Sequence, residues 1–264
     1  NFLTYKVTES GVVMTPTVTS IGSLHDGNLA ETIGYMKFSP DGQKLAIAKW
    51  YDTTFVEIFD FDSNSGAITN PIYLSSMFQN GPNNGVYGIE FSPNSELMYV
   101  SDTNFNTLTF KVHQFNIALG NQADISNSNE ILYDGGDIIA AIQLGIDEKI
   151  YLANASSGFL DVIENPNEIG AASNYSNRGL FLEGRSASLG LPPFIQSFFQ
   201  VGINVEFTCL GDETVFSVNS SQTITNIQWD FGDGNMSNLE NPTHIYATAG
   251  TYTINVSVQS DEGT

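Results

Sequence analysis

The sequence predicts an all-β chain in two parts: about three and a half four-stranded antiparallel sheets over residues 1–200, then one small β-sandwich over 201–264. Three observations carry this. A pattern of two strands and a turn recurs every 53 residues in the first part. Apolar and polar residues alternate with period two in the second, as a half-buried strand requires. No stretch sustains apolar residues at the spacing of an amphipathic helix.

The repeat is anchored on Phe38, Phe91 and Leu144, each 53 positions from the next. Around each anchor a short strand runs into a turn and then a second strand. The turns are Pro40-Asp41-Gly42, Pro93-Asn94-Ser95 and Ile146-Asp147-Glu148. Proline presets the first turn position, and Asp, Asn or Gly follows it easily. A third strand is expected at Thr54–Phe61, Thr107–Phe115 and Phe159–Ile163, and a fourth near Ile72–Leu74, Glu130–Tyr133 and Leu180–Leu182. Four antiparallel strands per repeat of this length describe a β-propeller blade. Leu3–Val7 and Thr17–Ile21 fit the outer strands of a preceding blade, so further blades are expected upstream. Segments 62–70 and 120–129 read as polar loops. The loops entering the innermost strands, at 26–32, 79–86 and 134–139, are placed at the mouth of the central channel. Among them Asn80-Gly81-Pro82-Asn83-Asn84-Gly85 is a candidate carbohydrate or peptide contact, or simply a turn that needs Gly and Asn.

The second strands Met98-Tyr99-Val100-Ser101-Asp102 and Ile150-Tyr151-Leu152-Ala153-Asn154 resemble YVTN-type propeller repeats. The Phe38-Ser39-Pro40-Asp41-Gly42 turn resembles that of WD-like and TolB-like propellers. After Leu191-Pro192-Pro193, read as the exit from the last blade, the repeat stops. Strands are expected at Thr214–Val218, Ile224–Trp229 and Thr251–Val258. Trp229-Asp230-Phe231-Gly232-Asp233-Gly234, with Asn241-Pro242-Thr243-His244-Ile245-Tyr246 and Gly250-Thr251-Tyr252-Thr253-Ile254, closely resembles the PKD (polycystic kidney disease) domain. That resemblance implies an immunoglobulin-like sandwich used as an extracellular spacer or interaction module. Trp229 and Phe231 alternate into its core while Asp233-Gly234 makes a tight hairpin. Some such domains bind calcium at their loops, so Asp230 and Asp233 are candidate ligands as well as acceptors for turn N–H groups. No other cofactor is expected.

Composition narrows the partners. Eight Lys+Arg face 29 Asp+Glu, a formal net charge of -21, which repels nucleic acid. The single Cys209 excludes an internal disulfide and a cysteine-based zinc site. No apolar run is long enough for a membrane span. The acidic, Asn-rich composition and the two modules resemble large surface proteins of the Bacteroidetes, many of them exported by the type IX secretion system. Asp52-Thr53-Thr54 fits the short O-glycosylation pattern of that phylum, which makes Thr53 a candidate acceptor. No catalytic motif is visible, and His25, His113 and His244 are scattered. The expectation is therefore a non-catalytic, secreted cell-surface adhesin or interaction module, tied to surface adhesion or gliding motility. Its partners would be extracellular glycans or proteins of the surface and secretion machinery. The alternative is a secreted propeller enzyme, lactonase-like or polysaccharide-degrading, with the PKD module as spacer. That alternative requires at least two titratable groups with perturbed pKa values to converge on the ring axis.

Overall fold

The computed structural model describes every residue except 9–10, 26, 28, 193–200, 207–209, 221–222 and 261–264, so Cys209 and the blade exit beyond Pro192 lie outside the described residues. The chain divides into two compact units, residues 1–196 and 197–264.

In the first unit, β1 (Phe2–Thr4) pairs antiparallel with a later strand; between them lie β2 (Val7–Thr8) and β3 (Gly11–Val12), a small hairpin. The partner of β1 is β4 (Thr17–Thr19), with Leu3 opposite Val18. These are the two strands expected of a partial blade. Three complete four-stranded meanders follow. The first is β5 (Met36–Phe38), β6 (Lys44–Asp52), β7 (Phe55–Asp62) and β8 (Ala67–Leu74). The second is β9 (Gly81–Phe91), β10 (Leu97–Asn104), β11 (Thr109–Asn116) and β12 (Glu130–Gly135). The third is β13 (Ile139–Leu144), β14 (Ile150–Asn154), β15 (Phe159–Ile163) and β16 (Tyr175–Phe181). The unit is a partial β-propeller.

Strand β10 shows how the blades stack. Met98 and Val100 point into a core shared with Ala46, Val56 and Ile58 of the first blade. Leu97 and Tyr99 point the other way, into a core with Ile142, Leu144 and Leu152 of the third. Both faces of the middle sheet are buried, so its strands carry apolar residues at successive positions. The first two turns repeat one device. The backbone N–H of Lys44 donates to Ser39 Oγ and that of Leu97 to Ser92 Oγ, each at 2.9 Å. The left-handed residues that close these turns are Gly42 and Ser95.

Three local expectations change. Residues 81–85, expected as loop, are the first half of β9. Thr54 organises them: its Oγ1 accepts from Val86 N at 2.8 Å, and its own N–H donates to Asn80 Oδ1 at 2.9 Å. There β9 also pairs with the end of β6, Trp50 opposite Gly85, which joins the first two blades at one corner. The polar segment 120–129 contains α1 (Gln122–Asn127), capped by the Asn121 side chain and pinned by buried Ile125. A helix of six residues is too short to display a period. Finally, β16 starts at Tyr175, because its polar first half carries no alternation.

The second unit has β17 (Val201–Glu206), β18 (Thr214–Ser220), β19 (Ile224–Asp230), β20 (Met236–Ser237), β21 (Thr243–His244) and β22 (Asn255–Ser260). They form two sheets, ordered β17-β18-β21 and β20-β19-β22. Phe216 and Val218 of one meet Ile227, Trp229 and Phe231 of the other, a sandwich core. Strand β22 begins four residues later than the alternation from Thr251 suggests.

Candidate functional site

Residues at the same repeat position on the three innermost strands come together. Lys37 of β5 donates from Nζ to Glu90 Oε2 of β9 and to Gln143 Oε1 of β13, both at 2.9 Å. Glu90 also accepts from the backbone N–H groups of Leu144, at 2.9 Å, and Phe91, at 3.0 Å. Burial pushes the Glu90 carboxyl above the usual range, and Lys37 and the backbone donors oppose that push. The nearby Tyr35 hydroxyl is raised by burial and by Tyr87 and Glu90. Titratable groups with perturbed pKa values thus converge on the inner strands. Glu90 is fully enclosed, however, and its partner Lys37 shows a small exposed fraction.

A second cluster reaches solvent through Asn177 and Arg178, with Asp137 half-buried and Asn154 and Asp161 buried behind them. The loop between β12 and β13, placed at the channel mouth by the sequence, carries Asp137. Arg178 on β16 reaches Asp137 Oδ1 at 3.1 Å. The Asn154 side chain, at the end of β14, donates to Asp161 Oδ1 at 3.0 Å and to Asp137 Oδ2 at 3.4 Å. Asn177 Nδ2 bridges the same two carboxylates at 3.2 Å to each. Tyr175 donates its hydroxyl to Asp161, and the Tyr175 ring stacks on Tyr133 with centroids 5.7 Å apart. Burial would raise the Asp137 carboxyl, but the Asn177 and Asn154 amides and Arg178 outweigh it and hold it below the usual range. The Tyr175 hydroxyl is driven far up by burial and by Asp161. Arg178 adopts a left-handed backbone, φ 57°, uncommon for a residue with a side chain. Asp161 accepts the Arg178 N–H at 2.8 Å, which holds that conformation.

The candidates named from sequence are dispersed. Thr53 is exposed at the bend between β6 and β7. In the sandwich Asp230 accepts from Gly232 N at 2.9 Å, and Asp233 accepts from Asn235 N at 3.0 Å. Asp233 also lies 2.7 Å from His244 Nε2, whose ring stacks on Phe231. Among the described residues no group of three or more His, Cys, Asp or Glu is arranged to hold a metal ion. Of the cluster around Asp137, sequence pointed only to its loop. Asp161, Asn177 and Arg178 went unmarked, although Asn154 occupies the repeat position of Asp102 and was a usable signal.

The PKD domain family model matches residues 203–264. The sandwich is a PKD domain. Over 58 residues, 20% of its length, the chain is 38% identical to a microbial collagenase of Vibrio alginolyticus, of which it covers 7%. The chain therefore spans less than a tenth of that relative. Among solved structures it resembles a periplasmic gluconolactonase of Pseudomonas aeruginosa, at 11% identity and TM-score 0.42, covering 90% of this chain and 77% of that one. It also resembles a Bacteroides uniformis structure provisionally named a 6-phosphogluconolactonase, at 15% identity and TM-score 0.43, covering 96% and 67%. The presence of lactonases among these structures corrects the expectation of a non-catalytic chain, which is withdrawn. At such identities and scores the likeness assigns no activity. Among the described residues no helix is long and apolar enough to cross a membrane.

Proposed function

We propose that the propeller unit is an extracellular, sugar-directed hydrolase that opens a neutral lactone, with the PKD domain as its spacer. The observation that carries this reading is the group of half-buried Asp137 and exposed Asn177 and Arg178, backed by the buried Asp161 and Asn154, beside the stacked rings of Tyr133 and Tyr175. Paired carboxylates and amides suit vicinal hydroxyls, and an aromatic face suits the C–H side of a sugar ring. One arginine against two aspartates leaves the site net negative, on a chain of formal charge -21, which favours a neutral substrate over a phosphorylated one.

Asp137, held as a carboxylate, takes a proton from water as the water oxygen bonds to the lactone carbonyl carbon. The developing oxyanion faces the Arg178 guanidinium. Collapse breaks the ring C–O bond, and the proton passes from Asp137 to the departing ring oxygen, giving the open hydroxy acid. The test is acid release from glucono-1,5-lactone, above the buffer rate. Asp137→Asn and Arg178→Ala should each lower kcat/KM by roughly 100-fold while the fold is retained. Wild-type chain that is folded yet no faster than buffer on neutral lactones would refute the reading.

A further inference from the structure

Away from that cluster, two enclosed atoms lack what the fold supplies at equivalent places. Among the described residues, Asp102 Oδ1 and His113 Nε2 are the fully buried side-chain polar atoms with no hydrogen-bond partner. Asp102 lies two residues before the end of β10 and His113 lies on β11. The two residues are 0% and 1% exposed, and His113 Nε2 stands 3.7 Å from Asp102 Oδ2, beyond a direct hydrogen bond. His113 Nδ1 is 2.9 Å from Asn129 Oδ1, an acceptor, so Nδ1 carries a proton, and in the neutral ring Nε2 then presents a lone pair. Asp102 accepts the Gln79 N–H at 3.0 Å through Oδ2. In that tautomer two acceptors face one another.

The neighbouring blades show what is missing. The third-strand residues opposite Ile47, Val100 and Leu152 are Glu57, His113 and Asp161, and these three occupy one position of the repeat. In the first blade Glu57 receives Ser23 N at 3.0 Å and Ser23 Oγ at 2.8 Å. In the third, Asp161 receives the Tyr175 hydroxyl, two side-chain amides and a backbone N–H. The second blade places the apolar ring of Phe78 against His113 instead, with centroids 5.3 Å apart.

We infer that Asp102 and His113 hold a single buried water molecule that donates one hydrogen to His113 Nε2 and the other to the Asp102 carboxylate. An oxygen about 2.8 to 3.0 Å from His113 Nε2 and from Asp102 Oδ1, the carboxylate oxygen that does not serve Gln79, closes the bridge. The water takes the donor role that Ser23 has toward Glu57 in the first blade, and through Asp102 it ties the segment around Gln79, which connects the first two blades, to β10 and β11.

The experiment is a crystal structure of the wild-type chain at a resolution that orders single waters, with the nitrogen chemical shifts of His113 measured in solution. The expected result is one isolated density within hydrogen-bond distance of both atoms, and a His113 ring protonated on Nδ1 with Nε2 accepting. A metal-like density, an empty gap, or His113 Nε2–H bonded directly to Asp102 would overturn the inference. Asp102→Asn, whose amide can supply the missing hydrogen, should keep the unfolding midpoint within about 2 °C, whereas Asp102→Ala should lower it by roughly 4 to 8 °C. Equal losses in the two variants would also overturn it.

Discussion

Replacing Lys37 by methionine tests whether the inner strands are held by charge as well as by packing. Methionine keeps the length and apolar stem of the lysine but deletes the ammonium that serves Glu90 and Gln143. The side chains of the pair are 18% and 0% exposed, so water cannot take the place of the lost partner. Removing one member of such a pair leaves a buried charge uncompensated and costs about 3–5 kcal/mol. For a unit of this size that corresponds to a midpoint lowered by on the order of 10 °C.

Acidity should move this deficit in a defined direction. The Glu90 carboxyl titrates above its unfolded value because burial dominates. Between the unfolded and folded values the folded state therefore binds more protons, and this group's contribution to stability falls as pH rises through that window. Without Lys37 the folded value climbs further, so Lys37→Met should lose more at about pH 8 than at about pH 5. Glu90→Gln added to Lys37→Met should recover most of the loss, because the remaining amide carries no charge. Thermal melts followed by circular dichroism at the two pH values read all of this. A Lys37→Met midpoint equal to wild type, or a deficit independent of pH, would refute the reasoning.

Three further outcomes are expected. Trp229 is fully enclosed, donates from Nε1 to Leu239 O at 3.1 Å and packs on Phe216, so Trp229→Ala should cost about 3–5 kcal/mol. A domain of this size holds little more than that, so the PKD domain should become sensitive to protease while the propeller unit resists. A side chain at Gly34 would place its Cβ 2.0 Å from the Ala48 carbonyl oxygen, so Gly34→Ala should sharply reduce soluble yield, measured against wild type. The Asp233 carboxyl is held low by its hydrogen bond to His244, so its contribution is present above the unfolded carboxylate range and is lost as pH falls through the folded value. Melts of Asp233→Asn should therefore lie below wild type at neutral pH and converge with it in acid.

The fold was legible wherever side chains repeat with the backbone. Phe38, Phe91 and Leu144 announce the blade period, and Trp229 and Phe231 announce the sandwich core, because burial demands apolar residues at fixed intervals. Residues 81–85 misled because Gly, Pro and Asn compose a turn in isolation, and only Thr54, from another blade's hairpin, draws them into β9. The cluster around Asp137 was unreadable for a related reason. Its members come from a loop and three strands, and each looks like an ordinary surface residue until Asn154 and Asn177 bridge Asp137 to Asp161.

The three blades fix positions more strictly than chemistry. At the inner-strand site the chain places Lys37, Glu90 and Gln143; at the third-strand site it places Glu57, His113 and Asp161. A purely structural position would be expected to keep one solution, since each buried polar group has to find its partners anew. Here each blade solves it differently: a serine from an earlier segment in the first, a histidine facing Asp102 in the second, and a network extended to solvent by Arg178 in the third. The third-strand site is thus a polar socket whose content varies by blade. In the third blade β16 turns Arg178 outward, in a left-handed conformation held by Asp161, and the socket reaches the surface there. If the proposed hydrolase reading holds, the contrast between Arg178→Ala there and Asp102→Ala in the second blade measures the difference directly. The first should remove activity and spare the fold, and the second should weaken the fold and spare activity.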